Sequence, residues 1–203
     1  MTRHLVIRST ALSLVVSLAV LGGCLGGDSP PSRFYLLSPL PASESPAATD
    51  GLAIGVGPVA IPDYLNRGQI VTRAGENQLE LAEFDRWAEP LQKNLSRVLV
   101  LNLSTLLSTD RVALHPWNRS TLMDYQVIVD VGRFEPGADG EISLLARWSI
   151  AGGADRKILR MRKSSFREPI ADESYEAAVA SMSRAAAALS REIAGAIRDL
   201  SAN

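Results

Sequence analysis

The chain has 203 residues, with 21 Lys and Arg against 22 Asp and Glu and a formal net charge of −1. That length can carry one domain with a proper core, and the near-neutral, mixed charge lacks the basic stripe that a nucleic-acid partner needs. The single cysteine, Cys24, excludes a disulfide framework and any multi-cysteine metal site.

At the N-terminus, Arg3, His4 and Arg8 precede an apolar run at residues 11–21 (ALSLVVSLAVL), and small residues follow before Cys24. The run is about half the ~20 residues a membrane-crossing helix needs, so a retained transmembrane anchor is not expected. Leu21-Gly22-Gly23-Cys24 resembles the lipobox of bacterial lipoproteins. The resemblance implies acylation of the Cys24 sulfur, removal of residues 1–23 as a signal peptide, and acylation of the new amino group. The alternative is an ordinary secretory signal with an incidental cysteine. One acyl chain holds a protein only marginally, whereas two or three anchor it stably. Leu25 stands where an aspartate would suggest retention at the inner membrane, and resemblance to sorted lipoproteins implies the periplasmic leaflet of the outer membrane. Without residues 1–23, which carry Arg3 and Arg8 and no acid, the net charge becomes −3. Residues 24–33 form the lipidated tether. Its stretch LGGDSPPSR has nothing to bury and reaches at most ~30 Å at 3.3–3.6 Å per residue.

Residues 34–203 read as a single periplasmic domain. A short strand is predicted at 34–37 (FYLL), then a proline-containing loop at 39–50. Leu52, Ile54 and Val56 alternate as in a half-buried strand, and Pro58 and Pro62 imply an edge or a bend. QIVTR at 69–73 and QLELAE at 78–83 flank Ala74-Gly75-Glu76-Asn77, which predicts a hairpin with Leu79 and Leu81 on one face. From Pro90, placed for a helix's first turn, the period becomes helical: Leu91, Leu95, Val98, Leu99, Asn102, Leu103 and Leu106 form one stripe ending near Ser108. Asn102 on that stripe is a candidate for a hydrogen bond to a second helix or a sheet.

A short strand is predicted at 112–114. Residues 125–134, 142–150 and 158–166 then predict an antiparallel meander through turns at 135–141 and near Gly152-Gly153. Tyr175, Val179, Met182, Ala186, Leu189, Ile193, Ile197 and Leu200 recur at spacings of three and four, predicting an amphipathic helix over 172–200; a coiled-coil or membrane-surface role is open to such a stripe, but its many alanines and weakly basic polar face favour packing on its own sheet. The expected class is α+β: a mostly antiparallel sheet with two amphipathic helices packed on one face.

Little in the chain points to catalysis. His115 is the one histidine of residues 24–203, and no HExxH, CxxC, GxSxG or P-loop pattern occurs. His115-Pro116-Trp117 reads as a structured loop. Gly55-Val56-Gly57-Pro58 lacks the following helix that a phosphate cradle needs. Asp85 and Glu89 lie near Arg86; a pair of acids can serve a hydrolase, but an ion pair with Arg86 is the simpler reading. Neither an enzyme nor a cofactor is expected.

The most specific stretch is 64–91, YLNRGQIVTRAGENQLELAEFDRWAEPL. With FYLLSP at 34–39 and IGVGPVAIPDYL at 54–65, it resembles the PqiC/YmbA family of ABC-type transport auxiliary lipoproteins, most closely over 34–106. The resemblance implies an outer-membrane lipoprotein that docks the outer end of a periplasm-spanning MCE-domain (mammalian cell entry) lipid-transport assembly, supports envelope integrity and performs no chemistry. It also suggests a homo-oligomer.

Tyr64, Arg67, Gln69, Arg73, Arg86 and Trp87 are the candidate partner-binding residues. Aromatic and arginine anchors favour interfaces, and QIVTR could extend a partner's sheet edge. The alternative is that Trp87 and Leu91 pack the sheet while Arg86 pairs with Glu89. Two competing functions remain: a binding module that regulates a cell-wall synthase or links envelope layers, and a lipid carrier. The carrier would need surplus inward apolar residues, and cleanly alternating strands do not supply them.

Overall fold

The computed structural model describes residues 30–41, 51–118, 121–153 and 155–202. Cys24, the apolar run before it and most of the 39–50 loop lie outside these. The elements in order are β1 (Arg33–Tyr35), β2 (Ile54–Ala60), β3 (Gln69–Arg73), β4 (Leu79–Trp87), α1 (Leu91–Leu107), β5 (Val112–Leu114), β6 (Tyr125–Pro136), β7 (Glu141–Gly152), β8 (Ile158–Pro169) and α2 (Tyr175–Ser201).

The class is α+β, as expected, and the strands divide between two mixed sheets of order β1-β4-β3 and β5-β2-β6-β7-β8. The local connections pair antiparallel: the β3–β4 hairpin and the β6–β7–β8 meander. The parallel pairs, β1–β4, β2–β5 and β2–β6, join segments far apart in sequence, as parallel strands must. Pro58 does mark an irregularity. β2 pairs with β5 only through Ile54–Val56, and its register with β6 shifts between Val56 and Val59. The missing N–H of Pro58 falls in that break, where no ladder bond is lost.

Both helices bury their expected stripes. On α1, Leu91, Leu95, Val98, Leu99, Leu103 and Leu106 are buried; on α2, Val179, Met182, Ala186, Leu189, Ile193 and Ile197 are. They meet the inward residues of β7, from Ile142 through Leu144, Ala146 and Trp148 to Ile150, in one core cluster. Ala178, Ala185, Ala194 and Ala196 on α2 are also buried; side chains this small let a helix approach its neighbours closely. Ser174 caps α2 by accepting from the Ala177 N–H (3.1 Å), as an N-cap serine does. Arg198 in its last turn donates to the Leu106 carbonyl at the end of α1 (3.1 Å).

The segment following β1 is clamped by helix side chains. The Leu37 N–H donates to Asn94 Oδ1 (2.7 Å), the Ser38 N–H to Ser183 Oγ (3.0 Å), and the Leu40 N–H to Asn102 Oδ1 (2.8 Å). Asn102 is fully buried, and its Nδ2 donates to Ser190 Oγ on α2 (3.0 Å), the helix–helix bond anticipated for it.

Gly55 also has a packing role. A β-carbon there would collide with the Trp117 indole, which stands edge-on to His115 with centroids 5.4 Å apart. Asn102→Ala should lower stability by about 1–3 kcal/mol, the cost of stranding buried polar groups. The urea midpoint should fall with the slope unchanged.

Candidate docking surface

The three-stranded sheet gathers the six candidate residues into two groups and one buried anchor. Cross-strand register sets Phe34 beside Arg86 and Arg86 beside Gln69. Residues side by side in a sheet share a face, so these three form a row. Phe34 is 63 % exposed, Leu36 two residues on is 44 % exposed, and Arg67 lies exposed in the turn before β3. The Arg86 guanidinium lies over Gly68, where a β-carbon would come within 3.2 Å of it.

The expected Arg86 ion pairs do not form. Asp85 takes Arg33 and Tyr35, while Glu89 takes Arg97 and accepts from Asn94 Nδ2 at 3.0 Å. The reason is direction: Asp85 and Arg86 are adjacent on a strand and point to opposite faces.

Trp87 is only 5 % exposed and belongs to the core with Leu91. Its place among the partner contacts is therefore withdrawn: a buried indole anchors β4 and presents nothing to a partner. The backbone around it is pinned as well, with the Trp87 N–H donating to Gly68 O (2.8 Å) and the Ala88 N–H to Tyr35 O (3.0 Å).

Tyr64 and Arg73 converge on Glu135, which the sequence pattern placed in a turn. β6 continues through Glu135 to Pro136, and a register shift against β7 between Val131 and Arg133 changes the parity of the later residues in the strand. The Glu135 carboxylate is 1 % exposed. It accepts from Arg73 Nε (2.8 Å), Tyr64 Oη (3.0 Å) and the Phe134 N–H (2.9 Å). Burial, and next the neighbouring Glu135 charge, raise the Tyr64 pKa; the hydrogen bond to Glu135 raises that of Arg73. The far edge of β3 is closed at this end, where Arg73 bridges to Gly137, so QIVTR is not a free edge along its whole length. Leu79 and Leu81, the cross-strand partners of Arg73 and Val71, share a face as expected but stay 36 % and 46 % exposed.

Asp85 repeats the design. It is 4 % exposed and takes Arg33 (2.8 Å) together with the Tyr35 hydroxyl (2.7 Å). Burial alone would raise its carboxyl, but the hydrogen bonds from Arg33 and Tyr35 outweigh that and hold it below the ordinary aspartate range. Both acids thus have their arginine and tyrosine as fixed partners. Such a pair holds strands together. Among the described residues no group of three or more His, Cys, Asp or Glu could hold a metal, and no helix is long and apolar enough to cross a membrane.

These features describe an α+β domain with a small, charged and partly apolar sheet surface near the expected tether. The chain belongs to the family of ABC-type transport auxiliary lipoprotein components, whose model matches residues 35–194. It is 28 % identical over 130 residues to the intermembrane transport lipoprotein PqiC of Escherichia coli K12, covering 64 % of this chain and 68 % of that one. The Shigella flexneri PqiC matches equally. Among solved structures, an uncharacterised protein superposes with a TM-score of 0.69 at 22 % identity, covering 83 % of this chain and 99 % of that one. XCC0632 from Xanthomonas campestris does so at 0.67 and 18 % identity, over 80 % and 93 %. These two likenesses establish the fold.

Arg73→Ala should cost about 2 kcal/mol, the range for a hydrogen bond to a charged group and less than stranding a buried charge, because Arg73 is one-fifth exposed and Arg133 Nε remains 3.6 Å from Glu135 Oε1. Adding Glu135→Gln should restore part of that loss, measured as a coupling energy in a double-mutant cycle. For Asp85, whose folded pKa is depressed, the stabilisation is present above the ordinary aspartate range and lost as pH falls through the folded value. The stability gap between the wild type and Asp85→Asn should therefore be constant near neutrality and shrink below about pH 4, as read by denaturant titrations across pH.

Proposed function

We propose that the protein is a non-enzymatic lipoprotein, acylated at Cys24 and held on the periplasmic face of the outer membrane. There it docks the outer end of an MCE-domain intermembrane lipid-transport assembly and supports envelope integrity. The observation that carries this reading is the family match over 35–194, joined to likeness with a relative named as an intermembrane transport lipoprotein. The saturated state of the two buried carboxylates is in keeping with a subunit that works by binding.

The docking end is assigned to the β3–β4 hairpin. Its exposed Leu79 and Leu81 supply apolar contact, and the Arg73–Glu135–Tyr64 cluster holds that face in place. Tyr64 and Arg73 then act by positioning the hairpin, so alanine at either would confound binding with folding. Leu79 and Leu81 are the better probes, being exposed.

The test is in-cell crosslinking from a photoreactive residue at position 81 of the full lipoprotein, followed by mass spectrometry of the captured partner. An MCE-domain protein is expected, lost in Leu79→Asp/Leu81→Asp at unchanged protein level. Capture of a cell-wall synthase with no MCE protein would overturn the assignment.

A further inference from the structure

A second surface on the same sheet has a different composition. In the Phe34–Arg86–Gln69 row, Arg86 makes no ion pair among the described residues, and neither does Arg67 in the adjoining turn, whereas Arg33 is committed to Asp85. Two uncompensated guanidinium groups thus stand beside an exposed phenyl ring and the exposed Leu36. Glu176 of α2 borders the Phe34–Leu36 side, so the positive charge is confined to the Arg67–Arg86 side, and guanidinium charge there next to solvent-facing apolar side chains fits an occupant that is anionic at its surface and apolar beneath.

The chain itself limits which such occupant is nearby. Nine residues, 25–33, separate Cys24 from Phe34; at 3.3–3.6 Å per residue that is a reach of ~30 Å. An acylated Cys24 therefore keeps this row within reach of the lipid surface permanently. The domain is net acidic overall, −3 over residues 24–203, so an anionic membrane repels most of its surface. The local Arg67–Arg86 pair reverses that sign at one place and would select which side turns toward the lipid.

We propose that the Phe34 face of β1 and Leu36 just beyond it, with Arg67 and Arg86, form a membrane-contact surface. On it the two arginines bind anionic phospholipid headgroups while Phe34 and Leu36 enter the interface. The contact is a second membrane signal added to the acyl chains, and it fixes the domain's orientation rather than merely its location. It rests on the lipoprotein reading of Cys24. It assigns Arg67, Gln69 and Arg86 to lipid and leaves the β3–β4 hairpin for the transport partner. Because the headgroup attraction acts between exposed charges, added salt weakens it.

The experiment uses the full-length lipoprotein reconstituted into vesicles of phosphatidylethanolamine and phosphatidylglycerol. Nitroxide labels are placed on Phe34→Cys and Leu36→Cys, and, as a reference, on Leu122→Cys, an 84 % exposed site. Power saturation then reports access to membrane-dissolved oxygen against a water-soluble nickel complex. On reconstitution, labels at 34 and 36 should gain oxygen access and lose nickel access, with no change at 122. Arg67→Glu/Arg86→Glu should erase that gain while the protein still floats with the vesicles. Arg67→Glu alone, placed in an exposed turn and so safe for folding, should diminish it. Labels at 34 and 36 that keep full nickel access in floating protein overturn the contact and leave the anchor intact. Protection that comes only on adding an MCE-domain protein overturns it in favour of a protein partner. Protein that fails to float, with Cys24 open to thiol reagents, refutes the anchor and with it the contact.

Discussion

The structure depends on how the segment at 37–40 satisfies its backbone. This stretch leaves β1, reaches side chains of both helices, and pairs with no strand among the described residues to accept its amide hydrogens. A buried N–H without an acceptor costs on the order of 1–3 kcal/mol. The helices supply acceptors from side chains: Asn94 and Asn102 from α1, Ser183 from α2. Position 39 is proline and has no N–H to satisfy. The residue spacing on α1 matters, because 94 and 102 lie eight apart, a little over two helical turns and about 80° round the helix, so both stay on its buried side and meet the segment at different points. Asn102 also reaches Ser190, so the group that seats the segment also sets one helix against the other. Moving any one of these partners would disturb the other two, and β1, at the start of the same segment, would lose its alignment with β4.

The second constraint is the burial of two acids, one within the three-stranded sheet and one between it and β6. Each buried carboxylate needs a charge partner and hydrogen bonds to repay its lost hydration. In both cases an arginine and a tyrosine come from a strand or turn distant in sequence: Arg33 and Tyr35 for Asp85, Arg73 and Tyr64 for Glu135. These contacts fix geometry more than they add net stability. One ties β1 to β4; the other ties the three-stranded sheet to β6.

What could be read from the residues depends on which interactions are local. The β3–β4 hairpin, the meander and both helices are encoded by period and by the turn residues between them, and all four lie where the pattern puts them. The parallel pairs of β2 leave no such trace, since no short connection defines them. Glu135 escapes the pattern because a register shift near Gly132 breaks the alternation that would carry the strand that far. Adjacency assigns Asp85 to Arg86, yet its partner Arg33 lies 52 residues away. Leu79 and Leu81 show the converse limit. Alternation states that two residues share a face, but whether another layer covers that face is a tertiary fact. Trp87 is open between core and interface on sequence for the same reason, and burial decides it for the core.

β4 then explains how one small sheet can serve two neighbours. Gln69 pairs with Arg86 while Val71 pairs with Leu81, so β4 carries extra residues between these points and bends there. One end of β4 lies in the Phe34–Arg86–Gln69 row; the other bears Leu79 and Leu81. Nine residues at about 3.3 Å each place the ends up to ~30 Å apart, and the irregular stretch turns them out of a common plane. Trp87 and Asp85 lock the first end into the body of the domain; Arg73, paired with Leu79, locks the second through Glu135. A strand held at both ends is a rigid spacer. In the proposed arrangement it transmits orientation: the end that meets lipid determines where the end that meets the transport assembly points. A subunit without chemistry of its own can act in just this way, by fixing an angle between a membrane and a machine.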